Sequence, residues 1–230
     1  MRSVRQRIGS RNSCSGYCGR PIVKKYGAMT GMKPSSKQFL IDNYRSSLAK
    51  HGAGARVGQQ SAEGQRFRFE KLAEVGDLTG ATVLDVGCNL GDLFPFLAQR
   101  FDRLRYTGID IVPELIERAR SAHPETAFEC RDLLLDPYGE RFDYVFISGT
   151  FNNNIPDSGE FLREMTAAAF EACRRALAFN FISTHVNFRD AEIAYHDPVA
   201  VLAHCVEHLS PKVILQHHYE RCDVAVFVYR

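Results

Sequence analysis

The sequence predicts an α/β fold: a mainly parallel sheet with one reversed edge strand and helices on both faces. Three observations predict it. Short β-branched or apolar runs alternate with segments of helical spacing from residue 81 onward. The run over residues 81–86 opens into a glycine-bearing turn, Gly87-Cys88-Asn89-Leu90-Gly91, followed by a helical segment. The chain closes on two runs, 212–219 and 223–229, joined by a short turn, which read as a hairpin that reverses one strand.

Composition bounds the answer. A chain of 230 residues suffices for one sizeable core with an appendage. No apolar run is long enough to cross a bilayer, so the expectation is a cytoplasmic protein without membrane attachment. Charge is unevenly placed. Nine of the 29 Lys and Arg, and none of the 27 Asp and Glu, fall in residues 1–41, which leaves 20 bases against 27 acids beyond them. A mildly acidic body argues against a nucleic-acid partner, which needs clustered cations. Of the seven Cys, Cys88, Cys130, Cys173, Cys205 and Cys222 read as small buried thiols. Cys14 and Cys18 lack the second pair of a zinc site, so no metal is expected.

Residues 1–33 are basic, Ser/Gly-rich and without apolar period, and read as a disordered extension. Upstream translated sequence before Met29 or Met32, a transit peptide and a nucleic-acid-binding arm are the explanations in that order. Residues 34–230 read as a single domain, with a helical cover over 34–78 and the sheet core over 79–230. In the cover, Ser35 or Ser36 caps a helix that sets Phe39, Leu40, Tyr44 and Leu48 on one face, and Ser61 opens a second. Strands follow at 105–110, 126–130, 142–148 and 176–183. Helices fill 94–101, 113–122, about 157–173 and 197–209. Pro95, Pro113 and Pro198 sit in first turns, where proline is tolerated. Asp157 and Glu160 have capping-box spacing.

The glycine turn ends a strand, so its backbone can approach a ligand closely. A dinucleotide loop prefers a third glycine and no acid near the phosphate. Here Asn89 takes the middle place, while Asp85 and Asp92 flank the turn. Carboxylates on both sides repel a pyrophosphate and suit a cationic ligand, which favours S-adenosylmethionine over NAD. Asp85, Asp110 and Asp132 each end one of the first three strands and so rim one crevice. Asp110 stands about 20 residues past the turn, where an acid binds the ribose hydroxyls. Asp132 and Leu133 can meet an adenine amino group, and Ile111 with Leu133 can sandwich its ring.

On these stretches, Val83-Leu84-Asp85-Val86-Gly87-Cys88-Asn89-Leu90-Gly91, Gly108-Ile109-Asp110, Arg131-Asp132-Leu133 and Phe142-Asp143-Tyr144-Val145, the chain resembles class I S-adenosylmethionine-dependent methyltransferases. The resemblance implies a doubly wound, Rossmann-like sheet of seven strands with the last antiparallel. It implies that Asp85, Gly87 and Gly91 line the methionine moiety, with Cys88 and Asn89 of the same turn at the cofactor, that Asp110 meets the ribose, and that Asp132 and Leu133 meet adenine, with Ile111 on its ring. It also implies that Ser148 and Gly149 lie under the sulfonium. Asn89 departs from the usual glycine, although Asn tolerates left-handed backbone. A weaker likeness, in Ser148-Gly149-Thr150-Phe151-Asn152 and Tyr195-His196-Asp197-Pro198, is to small bacterial methyltransferases of polysaccharide or natural-product pathways.

Transfer from a sulfonium is an in-line displacement in which positioning supplies much of the rate, and a hydroxyl acceptor also needs a base. The polar insert over 184–197 supplies His185, Tyr195 and His196 as catalytic candidates. Phe151, Asn152 and Asn153 are the candidates for holding a small-molecule acceptor, expected to be a hydroxyl of a natural product or sugar. The competing expectation is a non-catalytic S-adenosylmethionine-binding module acting through protein partners. A monomer or homodimer suits either.

Overall fold

The computed structural model describes residues 32–58, 60–219 and 222–230. The basic extension over residues 1–31, with Cys14 and Cys18, lies outside the described residues. Seven strands form one sheet in the order β3-β2-β1-β4-β5-β7-β6. These are β1 (Thr82–Val86), β2 (Arg105–Asp110), β3 (Ala127–Cys130), β4 (Phe142–Ile147), β5 (Cys173–Ile182), β6 (Val213–Gln216) and β7 (Asp223–Tyr229). Only β7 runs against its neighbours, pairing antiparallel with both β5 and β6. Strand order reverses between β1 and β4, and a crevice opens above the carboxyl ends there.

Side-chain alternation gives the sheet two buried faces. Leu84, Val86, Val145 and Ile147 pack under α5 (Ser158–Glu171) and α6 (Pro198–His204). Val83, Tyr144, Phe146 and Ala178 pack under α2 (Ala62–Leu72), α3 (Leu93–Ala98) and α4 (Pro113–Ala122). Burial on both faces explains the nearly unbroken apolar strands. Removal of this surface from water is the main driving force for the fold. Among the described residues no helix is long and apolar enough to cross a membrane.

Several local expectations hold. Ser61 caps α2 through its hydroxyl on the Gly64 N–H at 3.0 Å. Asp197 caps α6 through the Val199 N–H at 2.8 Å. Others are corrected. Ser36 does not cap α1 (Pro34–His51), and Asp157 does not cap α5. The two meet instead: the Asp157 carboxylate accepts from the Ser36 hydroxyl at 2.5 Å and the Lys33 N–H at 3.1 Å. One acid thus binds the start of a helix 121 residues away in sequence, which no local pattern encodes. Phe39 is 53 % exposed, so the inward stripe of α1 runs through buried Leu40 and half-buried Tyr44 and Leu48. Helix α3 ends at Ala98, before its apolar run does, where the Arg100 and Phe101 N–H groups both donate to the Leu97 carbonyl. Strand β5 starts three residues early, with a register shift against β4 between Phe142 and Tyr144. Strand β6 stops at Gln216, and α6 runs on into a π-helical turn, Cys205–Leu209. Cys88, Cys173 and Cys205 are buried thiols, whereas Cys130 and Cys222 are exposed.

Candidate active site

The turn after β1 is held from behind. The Gly87 and Cys88 N–H groups both donate to the Ile109 carbonyl, at 2.8 and 3.0 Å. The Gly91 N–H donates to the Cys88 carbonyl at 2.9 Å, and the Asn89 N–H to Asp110 Oδ2 at 3.0 Å. Four of the donors a phosphate would need are therefore already used inside the protein. Gly87, Asn89 and Gly91 all have positive φ, at 76°, 51° and 80°. At Gly91 a Cβ would also stand 2.6 Å from the Phe128 ring. Gly91→Ala is expected to cost about 3 kcal/mol, from left-handed strain plus overpacking. A denaturant midpoint equal to that of the parent protein would refute this.

A cavity of about 260 Å³ sits over the sheet edge at the β1/β4 switch point. Its floor is Val86, Gly87, Asn89, Ser148, Gly149 and Thr150. One side carries Asp110, Ile111, Asp132 and Leu133, and the other Asn152, Asn153, Phe161, Met165 and Ile193. Leu40 and Tyr44 of α1 cover it, while Gln60 and Arg68 close the flank.

The acids divide. Asp110 faces the cavity, with the Asn89 and Val112 N–H groups on its two oxygens at 3.0 Å each. Burial pushes its carboxyl up to about 6, against the lowering effect of those donors. Asp132 also lines the cavity and is met by Lys37 Nζ of α1 at 2.6 Å. Asp85 does not line it. Strand alternation turns its side chain to the Val83 face, where the Tyr106 hydroxyl donates to it at 2.5 Å. Burial there pushes the carboxyl up to about 7; Tyr106 opposes this and the charges of Asp110 and Asp92 add to it. Asp92 is drawn aside by Gln65 Nε2 at 3.0 Å. Cys88 and Gly91 also stay outside the cavity lining.

None of the three candidate catalytic side chains lines the cavity. His196 is buried, its Nε2 3.1 Å from the Phe151 carbonyl, and burial holds its imidazole below the ordinary range. The Tyr195 hydroxyl accepts from the Asp190 N–H at 2.8 Å. His185 is exposed, beside His217 at a ring separation of 6.2 Å. Phe151 is a core residue, packed edge-on against Phe161 and Phe179. The insert reaches the cavity through Asp190, Glu192 and Ile193 instead. Composition could not tell these from its histidines, because the folding of a 14-residue loop decides which side chains turn inward. Asn152 and Asn153 do line the cavity. Asn153 Nδ2 donates to the Tyr44 hydroxyl at 3.1 Å. Asn152 Oδ1 is buried with no hydrogen-bond partner among the described residues.

Sequence reasoning missed Tyr44, Gln60, Arg68, Thr150, Asp190 and Glu192 as cavity residues. Arg68 lies on a helix remote in sequence, so only packing could reveal its place.

A family model described as a methyltransferase domain matches residues 83–178. Rv1506c of Mycobacterium tuberculosis, named as a methyltransferase, is 28% identical over 154 residues, 64% of this chain and 92% of the relative. Malonyl-[acyl-carrier protein] O-methyltransferase of Acetivibrio thermocellus is 38% identical over 117 residues. That match takes in half of this chain but only 40% of the relative. Among solved structures, magnesium protoporphyrin IX methyltransferase from Synechocystis PCC 6803 with bound SAM superposes at TM-score 0.63. It is 18% identical, covering 87% of this chain and all of that one, so it shares the fold. Sheet order, glycine turn and matched domain agree: residues 83–178 carry a methyltransferase domain, on the fold that this chain shares with S-adenosylmethionine-bound methyltransferases.

Proposed function

We propose that this enzyme methylates an oxygen of a small molecule, a hydroxyl of a natural product or sugar, with the cofactor along the strand ends of β1, β2 and β3. In this reading Asp110 binds the ribose hydroxyls, Asp132 the adenine amino group, and Ile111 with Leu133 the ring faces. Gly87 and Asn89 meet the methionine portion, and Ser148 with Gly149 lies beneath the sulfonium.

The observation that carries the acceptor assignment is the orphaned Asn152 Oδ1 in the cavity wall. A buried acceptor left without a donor costs about 1–3 kcal/mol, which an O–H or N–H of the acceptor would relieve once the Asn152 side chain turns toward it. Phe161, Met165 and Ile193 offer apolar contact beside it. With no described histidine lining the cavity, the insert carboxylates are the proton acceptors on that side. Asp190 Oδ1 accepts from the Glu192 N–H at 2.8 Å, which ties Asp190 to the loop backbone, and this reading takes Glu192 as the base.

Turnover of radiolabelled S-adenosylmethionine against a panel of hydroxylated, carboxylated and amine acceptors tests the reading. The expected result is label on a hydroxylated compound, with Asn152→Leu raising KM about tenfold and Glu192→Gln lowering kcat. Transfer confined to amines would overturn it.

A further inference from the structure

Arg68 brings a full positive charge to the wall of a cavity that must take a sulfonium. The structure shows how that charge is managed. Arg68 Nε donates to Asp223 Oδ1 at 2.8 Å, and both side chains are only 13% exposed. The remaining reach of the guanidinium goes to Gln60 Oε1. The same Asp223 oxygen accepts from Asn180 Nδ2 at 3.0 Å. Asn180, 2% exposed, in turn accepts the Gly149 N–H on its Oδ1 at 2.8 Å. The chain of bonds therefore runs from the helical cover, through the first residue of β7 and the carboxyl-terminal part of β5, to the loop that ends β4. Gly149 at its end has φ 75°, so this N–H bond fixes a turn only glycine adopts readily.

We propose that Asp223 is a positioning residue for methyl transfer: it cancels the Arg68 charge within the cavity and, through Asn180, sets the Ser148–Gly149 backbone under the sulfonium. Neither effect touches the reacting atoms. Asn180 and Asp223 lie on the two antiparallel strands β5 and β7, so the hairpin that ends the chain has a part in the site.

The Arg68 charge leaves a distinctive signature. A cavity of this volume is on the order of 8 Å across, and a bare guanidinium at that range, at an effective dielectric of about 20, weakens a cation by roughly tenfold or more. S-adenosylmethionine carries the sulfonium charge. S-adenosylhomocysteine has a neutral thioether and is otherwise alike, so it is insensitive to that term. A merely structural lesion weakens both ligands alike.

The inference rests on the cofactor placement proposed above. The test is calorimetry of both ligands on the parent protein, Asp223→Asn, Arg68→Gln and the double variant. Asp223→Asn is expected to lose roughly tenfold more affinity for S-adenosylmethionine than for S-adenosylhomocysteine. Adding Arg68→Gln should bring the ratio back to the parent value. If Asp223→Asn does not fold, Arg68→Gln alone reads the same coupling with opposite sign, favouring the sulfonium. Equal losses of both ligands in Asp223→Asn, or an unchanged ratio in Arg68→Gln, would overturn this inference alone. A parent protein that binds neither ligand would overturn the cofactor placement with it.

Discussion

Asp110→Ala weakens S-adenosylmethionine binding by more than about tenfold in calorimetry, because hydrogen bonds from ligand hydroxyls to a buried carboxylate are worth roughly 1.5–3 kcal/mol. The parent protein adds a pH dependence. With its carboxyl raised to about 6 by burial, Asp110 is charged at neutral pH and takes a proton as pH falls through that value. The Asn89, Val112 and Ile111 N–H groups take part of the acceptor capacity of this carboxylate, and the charged form offers the rest to a ribose. Affinity therefore drops below about pH 6 in the parent protein and stays flat with pH in Asp110→Asn. Unchanged affinity in Asp110→Ala sinks the ribose assignment. A parent profile that is flat down to pH 5 sinks the titration argument while leaving that assignment in place.

The second large effect is on stability. Asp85 is buried against Tyr106, and burial pushes its carboxyl to about 7. The folded protein thus holds this proton more tightly than the unfolded chain, where the carboxyl titrates near 4. The sign follows from linkage: the contribution of Asp85 to stability is fully present below about pH 4 and is lost as pH rises to about 7. A shift of about three units corresponds to at most about 4 kcal/mol. Asp85→Asn keeps an acceptor for the Tyr106 hydroxyl and carries no charge. It is expected to be more stable than the parent by about 2–4 kcal/mol at pH 8, with the advantage shrinking toward zero near pH 4. Urea unfolding at both values measures it. An advantage of equal size at both would show that Asp85 is not the titrating group.

The two aspartates show how far a motif reads. Both stand at strand ends, and both strand ends lie at the crevice edge. The period-two alternation of a strand then separates them. Asp85 falls on the Val83 face, into the packing around Tyr106, while Asp110 is the last residue of β2 and is pinned to the cavity by the N–H groups of the turn. The alternation was present in the sequence, but which face would carry the helices and which would border the cavity was not. His196 makes the same point. Its polarity marked the insert as functional, yet the ring is buried against Phe151 and Glu192 reaches the cavity instead.

What the sequence determined by itself was local or periodic. Apolar runs of strand length, proline at helix starts, and glycine or asparagine at three left-handed positions specify a strand-turn-helix series and the edge where a ligand binds. These features act over a few residues, so a linear reading captures them. Only the tertiary structure decided the pairs separated by 100 residues or more: Asp157 with Ser36, Tyr44 with Asn153, and Arg68 with Asp223. Each joins a surface-prone polar group to a partner that the sheet order alone brings near. A buried charge or amide must find such a partner, and which one it finds depends on packing that no window of sequence contains.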